Sequence, residues 1–250
     1  MIFAKKSFGQ HFLRDQSVLD KIVAAAVIGP KDIVIEVGPG RGALTERLAY
    51  LGDRLILIEA DRDLIAELQT KFPKAKLIQA DAAHVNYAEL VPHGEWILIG
   101  NLPYNAGNAI IRQALTSTRP PKRQVIMLQR EVGEKMLAKP GDMGILSVAV
   151  QMYADVKRIM TVKPGAFVPP PKIDSIVVSL CQNQKSPDPE TAIALAKLAF
   201  AHKRKQMHRT LSDAGIQSSE SLKAKLKAMG LSERARPEEL GVEQWIELAK

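Results

Sequence analysis

Cysteine is almost absent from this chain of 250 residues, which contains one, Cys181. A single cysteine excludes an internal disulfide, and its place in the apolar run SIVVSLC indicates a buried, inert thiol rather than a nucleophile. The five histidines form no ligand spacing with cysteine or carboxylate, so we expect no metal site. No stretch approaches the roughly 18 apolar residues of a membrane-spanning helix. The amino-terminal residues also lack the apolar segment of a signal peptide, so we expect a soluble, cytoplasmic protein with no membrane contact.

Acidic residues are outnumbered: 27 Asp and Glu stand against 35 Lys and Arg, for a formal net charge of +8. Such an excess predicts attraction to a polyanion and favours nucleic acid as the partner, although solubility alone accounts for a moderate excess. Hydrophobic residues make up 46% of the chain, which is enough to build a sizeable core and argues against disorder.

Short apolar runs alternate with helix-like segments through the first half of the chain. The runs that predict strands cover residues 32–38, 54–61, 75–81, 96–101 and 124–131. Strand alternating with helix indicates parallel βαβ units and a doubly wound α/β sheet, with ligands at the carboxyl ends of the strands. Two later runs, VKRIMTV and DSIVVSL, predict a closing antiparallel pair.

A polar segment that carries two prolines, CQNQKSPDPE at 181–190, follows the last predicted strand and favours a linker. We therefore predict an α/β domain of residues 1–183 and a helical domain of residues 184–250. The segments after the linker, beginning with TAIALAKLAFAHKRKQMHRTLSDAG, have the pattern of amphipathic helices that end at glycines. The sequence thus predicts a small all-α domain after the sheet.

Three glycines, Gly38, Gly40 and Gly42, follow the first predicted strand in the stretch IEVGPGRGA. Glycine lets the backbone approach a ligand closely, but this spacing also satisfies the dinucleotide fingerprint, so the loop alone is ambiguous. Glu59 ends the second strand about twenty residues later, where a carboxylate can accept both hydroxyls of a ribose. Asp81 ends the third strand, where a carboxylate can accept the exocyclic amine of an adenine.

These positions offer no cation for a pyrophosphate, so the predicted ligand is a nucleoside without phosphates. Glu36, which precedes the glycine loop, would suit a ligand that carries positive charge. S-adenosylmethionine combines a ribose, an adenine, an ammonium and a sulfonium, and it is the cofactor that we expect. A nicotinamide cofactor stays possible from the loop alone.

The fourth predicted strand, WILIGN, ends in NLPY, an asparagine followed by an X-Pro-aromatic turn. Methyl transfer to the amine of adenine needs a site that draws the nitrogen toward tetrahedral geometry, because its lone pair is delocalised into the ring. The amide oxygen of Asn101 can accept one N–H and the carbonyl of Leu102 the other. Pro103 holds Leu102 extended, and Tyr104 offers a ring on which the base can stack. Without the glycine loop, NLPY would indicate only a capped turn with a core tyrosine.

Four motifs in order resemble the KsgA-type ribosomal RNA adenine dimethyltransferases: GQHFL at 9–13, EVGPGRG at 36–42, NLPY at 101–104 and FVPPPKIDS at 167–175. The resemblance implies a Rossmann-like S-adenosylmethionine-dependent methyltransferase sheet with a small C-terminal all-α domain. It also implies dimethylation of N6 of two adjacent adenosines near the 3′ end of small-subunit (16S) ribosomal RNA. We expect the substrate to be a pre-ribosomal 30S particle and the enzyme to be a monomer.

The same resemblance assigns roles to individual residues. The cofactor contacts that it implies are His11, Leu13, Gly38, Glu59, Asp81 and Asn101. It implies Asn101, Leu102 and Tyr104 at the reaction centre, and Tyr104 and Phe167 on either side of the target base. Many family members carry Asn at the position of His11.

Basic residues concentrate in the segment AHKRKQMHR. Lys203, Arg204, Lys205 and Arg209 predict the surface that contacts RNA phosphates, with binding that weakens as salt rises, although a solvated helix face is an alternative. Together with further basic residues of the first domain they predict a continuous basic surface. Those residues are Arg112, Arg119, Lys122, Arg123 and Arg130.

Other functions stay open. A large-subunit ribosomal RNA adenine methyltransferase of the antibiotic-resistance type shares the glycine loop and NLPY, although FVPPPKIDS and FAHKRK favour the small-subunit enzyme. A ribosome-assembly or transcription factor that only binds RNA is the non-catalytic alternative, but Glu59, Asp81 and Asn101 argue against lost catalysis. A nicotinamide oxidoreductase would leave Asn101 and Tyr104 without a role.

Overall fold

The computed structural model describes residues 10–104, 106–202 and 205–250. These residues fall into two compact units. The first contains the chain up to Gly133 together with Asp155–Gln182, and the second contains Glu134–Ala154 and Asn183–Lys250. In the described ranges, no helix is long and apolar enough to cross a membrane.

The first unit is built on a sheet whose strands alternate with helices. Its strands are β1 (Phe12–Leu13), β2 (Ile33–Val37), β3 (Leu55–Glu59), β4 (Lys76–Gln79), β5 (Trp96–Asn101), β6 (Arg123–Gln129), β7 (Ala154–Val162), β8 (Phe167–Val168) and β9 (Ser175–Gln182). Its helices are α1 (Gln16–Ala26), α2 (Thr45–Leu48), α3 (Arg62–Lys71), α4 (Tyr87–Leu90), α5 (Gly107–Leu115) and α6 (Arg130–Met136), which runs on into the second unit.

The main sheet has seven strands in the order β4-β3-β2-β5-β6-β9-β7. From β4 to β6 all neighbouring strands are parallel, and β9 is antiparallel to β6. The chain order reverses between β2 and β5, and in open α/β sheets ligands bind outside the carboxyl ends of the strands at such a reversal. The predicted parallel strands are thus confirmed, and β7 lies beside β9 as expected.

The central strands are buried, and a glycine lets two of them lie close together. All five residues of β3 and the first five of β5 are buried, as expected for parallel strands covered on both faces. A Cβ at Gly100, near the end of β5, would overlap the carbonyl oxygen of Val37 at the end of β2. Glycine therefore lets the two strands approach at the point where the sheet order reverses.

The second unit is a helical assembly around its own apolar core. Its helices are α7 (Ile145–Gln151), α8 (Pro189–Phe200), α9 (Met207–Asp213), α10 (Ser219–Ala228) and α11 (Val242–Leu248). Trp245 is fully buried, and its ring centroid lies 6.0 Å from that of Phe200. The all-α character predicted after the sheet is therefore found here.

The boundary of this unit differs from the predicted one at residue 183. Val148 and Met152, which the sequence assigned to the α/β domain, belong to the buried cluster that contains Trp245. The backbone N–H of Gly141 also donates to the carbonyl of Glu238 at 2.8 Å. Segment 134–154 therefore belongs to the helical unit, because apolar side chains such as Val148 and Met152 pack in its core.

The long helix predicted over 191–215 is also wrong. Helix α8 ends at Phe200, and Gln206 is extended before α9 begins at Met207. The backbone N–H of Met207 donates to the carbonyl of Ala235 at 3.0 Å, which fixes the second helix against a later part of the chain. Of the described basic residues in the segment, Lys205 therefore lies between two helices and Arg209 lies in α9.

Candidate active site

A cavity of about 710 Å³ lies at the carboxyl ends of the parallel strands of the first unit. The predicted site residues that line it are His11, Leu13, Glu36, Gly38, Glu59, Asp81, Asn101, Leu102 and Tyr104. They come from segments far apart in the chain, and they meet because parallel strands end at one edge of a sheet. The size is in the range of pockets that bind small molecules or cofactors.

The glycine loop uses its own N–H groups inside the protein. Gly38 and Gly40 have φ of 66° and 58°, a conformation that favours glycine. The N–H of Gly38 donates to the carbonyl of Ile58, that of Gly40 to Oε2 of Glu59, and that of Gly42 to the carbonyl of Pro39. A dinucleotide loop instead offers N–H groups to a pyrophosphate at the start of a helix. These three N–H groups are therefore not available to a pyrophosphate.

Two carboxylates lie at the carboxyl ends of neighbouring strands and face the same cavity. Glu59 is 6% exposed, and its oxygens accept the N–H groups of Gly40 at 3.1 Å and Asp61 at 2.9 Å. Burial raises the pKa of Glu59, and these hydrogen bonds oppose that effect. Asp81 is exposed and accepts the N–H of Ala83 at 2.9 Å. Within the described part of the chain, no group of three or more His, Cys, Asp and Glu side chains could hold a metal ion.

Glu36 is a buried carboxylate beside the glycine loop. It is 1% exposed, lines the cavity, and its Oε2 has no hydrogen-bond partner among the described residues. Burial raises the pKa of Glu36 to about 8, and the charge of Glu59 acts in the same direction. The hydroxyl of Thr45 lowers the pKa of Glu36 without cancelling the effect of burial. A buried carboxylate oxygen without a partner is costly, so a cationic ligand group in the cavity would stabilise it.

The amide of Asn101 has one defined orientation. Its Nδ2 donates to the carbonyl of His11 at 2.9 Å, and a carbonyl can only accept, so the amide oxygen is the group left for another donor. The N–H of Leu102 donates to the carbonyl of Met127 at 3.0 Å, which holds the turn to β6. The carbonyl of Pro103 accepts the N–H groups of the residues that begin α5. The turn that follows Asn101 is therefore fixed at Leu102 and at Pro103.

Tyr104 is half-buried at the cavity wall. Its hydroxyl shares a hydrogen bond of 3.0 Å with Oγ of Ser175, and burial raises the pKa of the phenol, so the hydroxyl is neutral at physiological pH. Its ring centroid lies 5.7 Å from that of His11. His11 Nδ1 lies 2.8 Å from the carbonyl of Pro169 and donates to it. The sequence singled out neither Ser175 nor Pro169, since only their motif was recognised.

Gln10 is a second contact that the sequence did not predict. Its Nε2 donates at 2.9 Å to Oδ2 of Asp61, which is 1% exposed and caps α3. Asp61 also supplies the N–H that holds Glu59. The GQHFL segment is thus tied to the residue beside the expected ribose contact, a link between residues 51 positions apart.

Phe167 requires a correction. It is 2% exposed, belongs to the core and pairs with Leu13 across β1 and β8. It is not among the residues that line the cavity, whereas Val168 and Pro169 are. The loop that the sequence predicted does reach the cavity, through Val168 and Pro169. The ring of Phe167 is buried instead, because it packs in the apolar core of the first unit.

The predicted phosphate-binding residues lie only partly within the described structure. Lys203 and Arg204 fall outside the described residues. Lys205 and Arg209 are exposed, and both lie in the second unit. The exposure of these two side chains leaves them accessible to a polyanion.

Three of the basic residues that the sequence assigned to an RNA-binding surface make contacts within the first unit. Lys122 precedes β6 and pairs with Asp32 at 2.7 Å and Glu95 at 3.0 Å. Arg119 and Arg123 donate to backbone carbonyls near the same strand ends. These residues lie at the amino edge of the sheet, opposite the cavity, where they hold strand connections together.

Comparison with known proteins identifies the family. The family model described as "Ribosomal RNA adenine dimethylase" matches residues 2–250. Ribosomal RNA small subunit methyltransferase A of Syntrophotalea carbinolica is 40% identical over 253 residues, 98% of this chain and 96% of the relative. The protein of that name from Synechococcus elongatus is 37% identical over 263 residues, 98% of this chain and 94% of the relative.

Solved structures share the fold. A dimethyladenosine transferase from Plasmodium falciparum has a TM-score of 0.81 and 25% identity, covering 95% of this chain and 96% of its own. The 23S rRNA methyltransferase ErmE has a TM-score of 0.77 and 23% identity, with 95% and 98% covered. The predicted methyltransferase fold class is confirmed by these likenesses and the sheet order. By its sequence, over nearly its whole length, this chain belongs to the ribosomal RNA adenine dimethylase family.

Proposed function

We propose that this protein dimethylates N6 of two adjacent adenosines near the 3′ end of 16S ribosomal RNA, with S-adenosylmethionine as the methyl donor. The observation that carries the proposal is the oriented amide of Asn101 beside Tyr104, in the same cavity as the glycine loop and its carboxylates. The curated relatives named for the small subunit match nearly the whole chain, which favours that substrate over large-subunit RNA. We propose a pre-ribosomal 30S particle as the form of the substrate and a cytoplasmic monomer as the form of the enzyme.

The residues of the cavity fit S-adenosylmethionine. The unpartnered oxygen of Glu36 suits the positive charge of the ligand, and the internally bonded loop suits a ligand without phosphates. Glu59 would hold the ribose, Asp81 the adenine amine, and His11, Leu13 and Gly38 would complete the contacts. When bound, this cofactor supplies an electrophilic methyl group.

The residues of the NLPY turn prepare the target nitrogen. The amide oxygen of Asn101 and the carbonyl of Leu102 accept the two N–H groups of the adenine amine, which draws its lone pair out of the ring. These hydrogen bonds strengthen as the nitrogen becomes positive, so they favour the transition state over the ground state. The amine becomes acidic only after methylation, so water can take the proton and no tuned base is required.

Tyr104 supplies the surface on which the base rests. Stacking of a base on an aromatic ring contributes about 1–3 kcal/mol in comparable sites. The target adenine must be unpaired or turned out of its helix to reach a cavity at the edge of the sheet. Such a requirement favours a single-stranded or loop nucleotide in the substrate RNA.

The direct test uses small subunits that lack the modification. The protein is incubated with isotopically labelled S-adenosylmethionine and either these 30S particles or 50S particles, and modified nucleotides are mapped by mass spectrometry. We expect label in two adjacent dimethyladenosines of the small-subunit RNA. Label in the large subunit would support the antibiotic-resistance type of enzyme instead, and binding of RNA without label would support a non-catalytic factor.

We also propose that Lys205 and Arg209, with Lys203 and Arg204, contact RNA phosphates. Replacing Lys205 and Arg209 by Gln should weaken RNA binding and reduce the slope of log K against log salt by about 1.4 to 1.8, since each lost phosphate contact removes roughly 0.7 to 0.9. The measurement is a fluorescence titration of labelled RNA at several salt concentrations. Lys250→Gln is the matched control, because Lys250 is an exposed cation already paired with Glu247. An unchanged slope in the double variant would show that the RNA docks elsewhere.

A further inference from the structure

Ser175 is a buried polar residue beside the site. It has no part in the chemistry proposed above. It is the first residue of β9, is 0% exposed, and lies opposite Gln129 of β6. Because β9 runs antiparallel to β6, its first residue lies at the edge where the parallel strands end. Ser175 is therefore brought to the cavity edge by the sheet, although it does not line the cavity.

The hydroxyl of Ser175 holds the outer end of Tyr104. The two hydroxyl oxygens are 3.0 Å apart and share a hydrogen bond. At its other end, Tyr104 follows a turn whose backbone is fixed by the bonds of Leu102 and Pro103. The phenol oxygen lies on the axis that runs from Cβ through the ring, so fixing both ends of the side chain fixes the direction of that axis and the place of the ring.

The position of Ser175 is itself secured by its neighbour. The carbonyl of Asp174 accepts the N–H of Arg130 at 3.0 Å, and its carboxylate pairs with Lys163 at 2.8 Å. The same carboxylate lies 3.5 Å from the guanidinium of Arg130. These contacts tie the start of β9 to the end of β6, so the hydroxyl of Ser175 is presented from a rigid base.

We infer that Ser175 is a positioning residue, which fixes where the Tyr104 ring lies for stacking on the target adenine. The inference rests on the proposed function, since it assigns Ser175 to the base-binding half of that site. Stacking depends on the offset between two rings, so a Tyr104 side chain that could swing away would bind the base in positions that misalign its amine. Ser175 acts through Tyr104 and does not touch the reacting atoms.

A double-mutant cycle tests this role. Ser175→Ala and Tyr104→Phe each remove one partner of the hydrogen bond, and we expect each to slow single-turnover methylation of 30S particles by about five- to tenfold. The double variant should be no slower than either single variant, because the same interaction is lost in all three. Affinity for S-adenosylmethionine, measured by calorimetry, should stay unchanged in every variant.

Ser179→Ala is the matched control, since Ser179 is a buried serine of the same strand at 4% exposure. It should stay within about twofold of the wild type, because it removes no contact with Tyr104. Additive slowing in the cycle, equal slowing by Ser179→Ala, or no slowing by Ser175→Ala would overturn the inference. If Ser175→Ala does not fold, Tyr104→Phe alone tests the inference. Full methylation activity of Tyr104→Phe would then overturn the positioning role of Ser175. Inactive wild-type protein would instead count against the proposed function.

Discussion

Asn101→Ala should lower the rate of methyl transfer by on the order of a hundredfold or more, whereas the affinity for S-adenosylmethionine should fall far less. The amide nitrogen of Asn101 is occupied by the carbonyl of His11, so its oxygen is preoriented as an acceptor before any substrate arrives. Alanine removes that acceptor and the hydrogen bond to His11, but it leaves the backbone of the strand end in place. The loss should appear in the single-turnover rate on 30S particles, with cofactor affinity measured separately by calorimetry.

Asn86→Ala provides a control of the same residue type. Asn86 is exposed and donates to Glu89, away from the residues that line the cavity. Its replacement should leave the rate within about twofold of the wild type. A thermal unfolding curve for each variant separates lost chemistry from lost folding. Unchanged turnover of Asn101→Ala would remove this residue from the mechanism.

Glu36→Gln should stabilise the cofactor-free protein at neutral and alkaline pH. The pKa of Glu36 is raised from 4.5 to about 8, so the folded state keeps its proton after the unfolded state has lost it. Stability from this group is therefore present below pH 4.5 and is lost as pH rises toward 8. Glutamine does not ionise and escapes that loss, which is on the order of 4 kcal/mol by pH 8. Denaturant unfolding of both proteins between pH 5 and pH 9 measures it.

The same substitution should weaken cofactor binding. An ammonium or sulfonium in the cavity favours the ionised form of Glu36, so wild-type affinity should increase as pH rises toward 8. The variant should bind more weakly and lose this pH dependence. The exposed Glu46, replaced by Gln, is the control for removing a carboxylate near the loop. Equal pH profiles for the wild type and Glu36→Gln would show that the cation lies elsewhere.

Local sequence pattern was sufficient to predict the sheet and the edge on which the site forms. The run at 96–101 was predicted with the bounds that β5 has, because a continuous apolar stretch ends in a turn signal. The parallel arrangement is then enough to predict that Glu59, Asp81 and Asn101 lie together at the carboxyl edge of the sheet, as they do. The roles of these residues stay predictions until the experiments above are made.

Contacts between distant segments could not be predicted from local pattern. The two-residue pairing of β1 with β8 is too short to give a period, and it is what buries Phe167. Charge alone likewise did not distinguish Lys122, which is neutralised by two carboxylates, from an exposed cation such as Lys205. Periodicity reports which face is apolar, but it does not report which partner covers that face.

The chain passes between its two units three times, at 133/134, 154/155 and 182/183. A single cut near residue 183 would therefore leave Val148 and Met152 without the helices that bury them. Any exchange of the helical unit between relatives must transplant two separate stretches, or the hybrid will carry an uncovered apolar surface that promotes aggregation. A fusion or truncation that is meant to keep the helical unit folded must therefore retain both Glu134–Ala154 and Asn183–Lys250.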